Sequence, residues 1–180
     1  YLDTMNTLEG YAGWFTKNYH GDRTDLDRGD SRFMQYHNTI KVDAARDYVE
    51  ELQVGSTVKR ALIACILLAI PRVDNTLGQQ QAYLKTWCSR SYDLIEFRIP
   101  GKIEGPKGIG TRKSCFDPEL NTKYSPDLVY IDPPYSKNVN YSTFYHIYDS
   151  VVKWDKPATE GKARRRYDRT AKARKAGEGD

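Results

Sequence analysis

An apolar run, Leu128-Val129-Tyr130-Ile131, leads straight into Asp132-Pro133-Pro134-Tyr135, and this junction narrows the possible folds more than any other feature. Beginning at Asp127, such a short continuous run suits a strand buried on both faces, inside a parallel sheet. Parallel strands need crossover connections, usually helical, so the run points to an α/β protein. In open α/β sheets, ligands bind beyond the carboxyl ends of the strands, where Asp132 would stand. Pro133 and Pro134 lock φ and carry no N–H, leaving a stiff backbone with free carbonyl acceptors. A carboxylate beside such a carbonyl offers two acceptors to an NH2 group, and Tyr135 offers an aromatic face to a planar base. A ring-conjugated amine is a weak nucleophile, and acceptors holding both its hydrogens favour a more pyramidal, reactive nitrogen. The four residues thus suit alkylation of an amino group on a flat ring. The plainer reading is a Pro-Pro turn in which Asp132 only caps a helix.

The first 92 residues are patterned mainly for helices. Leu8, Tyr11 and Phe15 recur near helical spacing, and Asn38–Glu51 shows a second periodic stretch. Ser56-Thr57 offers an N-cap for a helix from Val58 to Ile70 that is apolar nearly all round and therefore suited to the interior. Pro71 bends or ends it. Gln79–Arg90 reads as a further helix or an ordered loop. Leu94–Ile99 alternates apolar and charged side chains, as a half-buried strand would. Pro100–Gly110 is a Gly/Pro-rich loop, Lys113–Phe116 a short strand ending at Asp117, and Tyr141–Trp154 a helix closed by Pro157. The expected organisation is a helical region over 1–92, an α/β catalytic part over 93–160, and a solvated tail over 161–180.

Charge supports that tail. Residues 161–180 hold eight Lys and Arg against three Asp and Glu, whereas the rest of the chain holds 20 against 21. A basic tail can bind a phosphate backbone by counterion release, or simply be solvated. Cys65, Cys88 and Cys115 show no metal-type pairing and read as free thiols of a reducing compartment. No apolar run is long enough to span a membrane.

Asp132-Pro133-Pro134-Tyr135 resembles the catalytic motif of amino-group DNA methyltransferases that use S-adenosylmethionine. The stretch Asp127–Pro157, with Tyr141, Tyr145 and His146 after the motif, is similar to adenine-N6 enzymes of the D12 class. Asp74-Asn75-Thr76 followed by Gln81–Trp87, and Leu8-Glu9-Gly10, resemble further blocks of that family. The resemblance implies a partial Rossmann-like S-adenosylmethionine-dependent methyltransferase fold, α/β in class, with an N-terminal helical part. It implies methyl transfer to N6 of adenine in double-stranded DNA, the base being flipped from the stack.

In that scheme Asp132 and the Pro133 carbonyl hold N6, Pro134 stiffens the turn and Tyr135 stacks on the base. Asp117 and Asp132 face the cofactor, the plainer reading of Asp117 being a surface Asp-Pro turn. Tyr141, Tyr145, His146, Lys85 and Arg90 face DNA, against the plainer readings of a helix-face histidine packed on its neighbours for His146 and a solvated face for Lys85 and Arg90, and no metal is required. A cytoplasmic bacterial or phage enzyme, paired with a restriction endonuclease, is the implied setting. The family's Gly-rich cofactor loop has no counterpart here, since Gly108-Ile109-Gly110 follows no apolar strand; the chain reads as incomplete at its N-terminus. Two alternatives stay open. One is methylation of another amino group, such as guanine N2 in RNA or an amide. The other is a non-catalytic nucleic-acid-binding fragment.

Overall fold

The computed structural model describes residues 1–20, 31–101, 104–106, 108–111, 113, 114, 116–124, 127–132 and 141–168. In chain order its elements are α1 (Leu2–Thr7), α2 (Trp14–Tyr19), α3 (Tyr36–Glu51), α4 (Ser56–Ala69), α5 (Pro118–Tyr124), α6 (Tyr141–Phe144), α7 (His146–Lys153), β1 (Thr159–Glu160) and β2 (Arg165–Arg166). Single 3-10 turns follow α4 at Ile70–Arg72 and precede the extended segment at Ser89–Tyr92. The chain divides into two compact units, Tyr1–Pro100 with Asn140–Asp180, and Gly101–Val139.

The first unit is helical, with its core between α3, α4 and α7. Val42, Ala45 and Val49 of α3 meet Leu62, Ile66 and Ala69 of α4 and Ile147 and Val151 of α7; Met5, Phe15, Phe33 and Met34 close the cluster. Buried polar side chains from α3 then tie shorter elements to it. The Asp43 carboxylate accepts from the backbone N–H of Gly13 (3.0 Å), Phe15 (2.9 Å) and Thr16 (2.8 Å), satisfying the open N-terminus of α2. Burial pushes the Asp43 carboxyl above its ordinary range, and those donors hold it back. A Cβ on Gly13 would lie 2.5 Å from Asp43 Oδ1, and one on Gly10 would lie 2.5 Å from Ile40 Cγ1. Only glycine lets the linker between α1 and α2 lie this close to α3. At the other end of α7, Arg46 is buried and donates from Nε to the Val151 carbonyl (2.7 Å), capping the last turn beneath the Trp154 ring.

The segment after Tyr92 is extended, with Ile95 and Phe97 inward and Leu94 and Ile99 exposed. Its backbone is held by side-chain amides. Asn38 accepts from Ile95 N–H (2.8 Å) and donates to the Asp93 carbonyl (2.9 Å); Asn6 accepts from Phe97 N–H (2.8 Å) and donates to its carbonyl (3.0 Å). The two asparagines stand in for a neighbouring strand.

Several expectations are corrected. Leu128–Ile131 forms no sheet among the described residues, and all four side chains are 61–87% exposed. An apolar strand needs partners on its edges and layers on its faces, and the described residues supply neither. The sheet that is present is antiparallel and two-stranded, pairing Thr159 with Arg166 and Glu160 with Arg165. Its second strand lies in what reads as a solvated tail. It is fixed because Arg166, fully buried, binds Asp155 at 2.6 and 2.7 Å and Asp168 at 3.2 and 3.3 Å. Residues 93–100 and 140–160, grouped by sequence with the catalytic part, share a unit with the N-terminal helices. Lys113–Phe116 is not a strand among its described residues. The single helix expected over 141–154 breaks at Tyr145. The N-cap of α4 is Gly55, with no side-chain cap from Ser56 or Thr57, and α4 leaves Leu68 exposed rather than lying wholly inside.

Candidate active site and its supports

Asp132 follows the exposed Leu128–Ile131 segment and is itself exposed to solvent. Pro133, Pro134 and Tyr135 lie outside the described residues, as does the side chain of Tyr141. Within the same unit, Asp117 caps α5. Its Oδ1 accepts from Glu119 N–H (3.0 Å), and Oδ2 lies 3.4 Å from Lys113 Nζ. A helix cap can be its whole function. Of the described glycines of this unit, Gly101, Gly108 and Gly110 have open space where a Cβ would stand, whereas Gly105, at φ +157°, holds a backbone conformation that favours glycine.

The block Asp74-Asn75-Thr76, in the other unit, is buried and densely bonded. Asn75 Nδ2 donates to the carbonyls of Arg32 (3.2 Å) and Leu84 (3.1 Å), while Oδ1 accepts from Cys88 N–H (2.9 Å). Its own backbone bonds to Phe33 and Leu84, each at 2.8 Å. Asp74 Oδ2 accepts from the Thr76 hydroxyl (2.9 Å). Arg90, expected at DNA, instead binds the Asp74 carboxylate (2.7 Å) and the carbonyls of Asp74 (2.9 Å) and Thr76. These residues fasten the segments 31–34, 73–78 and 84–90 to one another. Their polarity serves internal bonding, because each buried polar atom must find a partner. Lys85 remains exposed.

His146 is also placed inside. It has no exposure, its ring lies 5.8 Å from both Tyr19 and Phe33, and Nε2 is 2.9 Å from the Gln80 carbonyl. Gln80 Oε1 accepts from Ile147 N–H (2.9 Å), so Gln80 caps α7 where no local side chain does. Burial lowers the His146 pKa to about 4, and nearby Arg165 and Arg166 act in the same direction. The enclosed imidazole supports the start of α7. Tyr145, beside it, stays at the surface and stacks on Tyr148 with ring centroids 6.1 Å apart.

Sequence reasoning missed Asp43, Arg46, Gln80 and Arg166 as structural anchors. No local pattern marks any of them, and only the partner that the folded chain brings to each distinguishes it. Asp74-Asn75-Thr76 did carry a signal, three small polar residues directly after an apolar helix and Pro71. Among the described residues, no group of three or more His, Cys, Asp or Glu side chains is placed to hold a metal ion.

A family model described as D12 class N6 adenine-specific DNA methyltransferase matches residues 7–176. The chain is 31% identical over 150 residues to Modification methylase LlaI of Lactococcus lactis subsp. lactis, covering 79% of this chain and 24% of that protein. It is 26% identical over 168 residues to Modification methylase StsI of Streptococcus sanguinis, covering 89% of this chain and 24% of the relative. With Type II methyltransferase M.FokI of Planomicrobium okeanokoites the identity is 29% over 101 residues, or 56% and 15% of the two chains. The chain thus spans a quarter or less of the length of these curated relatives. No solved structure matches it.

Proposed function

The chain belongs to the D12 class of N6 adenine-specific DNA methyltransferases, and from that premise we propose that it acts in transfer of a methyl group to N6 of adenine in duplex DNA. The methyl donor is S-adenosylmethionine, the donor this class of enzyme uses. The observation that carries the reading is the match over residues 7–176 together with an exposed Asp132 at the head of Asp132-Pro133-Pro134-Tyr135. In this reading the Asp132 carboxylate and the Pro133 carbonyl accept the two N6 hydrogens, Pro134 holds the turn, and Tyr135 stacks on the flipped base. Asp117 and Asp132 face the donor. Tyr141, Tyr145 and Lys85 contact DNA, with His146 and Arg90 acting behind them as positioning residues. A cytoplasmic setting and a cognate restriction endonuclease complete the proposal.

The test is transfer of labelled methyl from S-adenosylmethionine to unmethylated duplex DNA, with the product base identified. Label in N6-methyladenine, lost in Asp132→Ala, is the expected result. Label in another base, or in RNA alone, would overturn the adenine assignment. A second reading is a non-catalytic nucleic-acid-binding role, which the basic balance of residues 161–180 would also serve. It predicts DNA binding without any label.

A further inference from the structure

We infer that Arg32, Lys85, Lys162 and Arg165 form one basic ledge that grips the phosphate backbone of duplex DNA. This rests on the DNA-directed reading above but assigns a surface outside the DPPY segment. Three stretches far apart in sequence meet there. Ser31 donates from its hydroxyl to the Lys162 carbonyl (2.6 Å), Arg32 Nη1 to the Lys85 carbonyl (2.7 Å), and Arg165 Nη2 lies 3.5 Å from the Gln81 carbonyl. Asn75, bonded to the Arg32 and Leu84 carbonyls, fastens two of the stretches from beneath. The hairpin of β1 and β2 delivers the third through a turn in which Gly161 takes φ +68°.

Lys85 and Lys162 are exposed, and Arg32 and Arg165 are half-buried. Asp155 and Asp168 are held by the buried Arg166, leaving Glu160, opposite Arg165, as the acidic neighbour in the hairpin register. The Arg165 side chain is only partly buried, and its Nη2 makes a long, 3.5 Å bond to the Gln81 carbonyl. The Arg32 and Arg165 guanidiniums, fixed by bonds to loop carbonyls, lose little entropy on binding, and the exposed Lys85 and Lys162 stand on the segments that meet there, which suits the group to a phosphate track. Such contacts carry no base information, and they make affinity depend on salt.

The test measures the affinity of the full chain for a short duplex of random sequence across a series of salt concentrations. The double variant K85Q/K162Q, at two exposed positions, should lower the slope of log affinity against log salt by about 2. K85R/K162R should retain the parental slope. K59Q/R60Q, at the start of α4, removes equal charge beside the carboxyl end of α3, where Lys59 bonds to Glu50. Lys59 and Arg60 belong to none of the stretches that meet at the ledge, so this variant should leave the slope unchanged. An unaltered slope in K85Q/K162Q, or an equal drop in K59Q/R60Q, overturns the ledge. Because the duplex is random and no methyl transfer is read, failure of the methylation assay leaves this outcome independent.

Discussion

The two units of the chain handle polarity in opposite ways. In the helical unit, Asn38, Asp43, Asp74, Asn75, Gln80, His146 and Arg166 are buried, and each bonds across long stretches of sequence. In the Gly101–Val139 unit, Phe116, Leu128, Tyr130 and Ile131 are apolar and exposed. The first unit is built from polar side chains that the fold has consumed. The second carries Asp132 next to a run of exposed apolar residues. Of the candidate site residues, Asp132 is therefore open to solvent, whereas His146 is enclosed by the packing of the first unit.

Asp132→Ala should reduce methyl transfer about a thousandfold or more, the scale for removing a group that acts on the reacting atoms, with the unfolding midpoint unchanged. A matching loss of stability would remove the contrast. Asn75→Ala should do the reverse. It removes three side-chain bonds from a buried site and should lower unfolding free energy by about 3 kcal/mol or more in urea titrations.

Acid should destabilise the helical unit through His146. Its folded pKa is about 4 against 6.5 for the free side chain, so the unfolded chain binds the extra proton between those values. The stabilisation is complete above pH 6.5 and falls as pH drops toward 4, by about 3 kcal/mol in all. His146→Gln should flatten this part of the pH–stability curve. Gly10→Ala should cost about 2 kcal/mol, because its Cβ would meet the Ile40 side chain and backbone. Leu128→Ser, at an exposed position, should change stability by less than about 0.5 kcal/mol. A loss of about 3 kcal/mol there would show that the run is packed in the folded molecule.

The long helices were legible because periodic apolar residues and a terminating proline are local signals. Helices α3 and α4 fall within two residues of their predicted limits. Leu94–Ile99 was legible as an extended, half-buried segment, though not that Asn6 and Asn38 would hold it. The Asp127–Tyr135 junction and the family it indicates could also be read directly, since adjacent residues carry that chemistry. What local pattern could not show is which polar side chains face inward. Burial of Arg166 depends on Asp155 and Asp168 meeting it around a hairpin turn, and the roles of His146 and Gln80 depend on segments 66 residues apart. The sequence by itself determined the helical periods, the strand-like runs and the motif, because each depends on neighbours along the chain. Only the tertiary structure decided which charges were consumed as anchors and which were left at the surface, because a polar group is buried only where distant partners replace the water it loses.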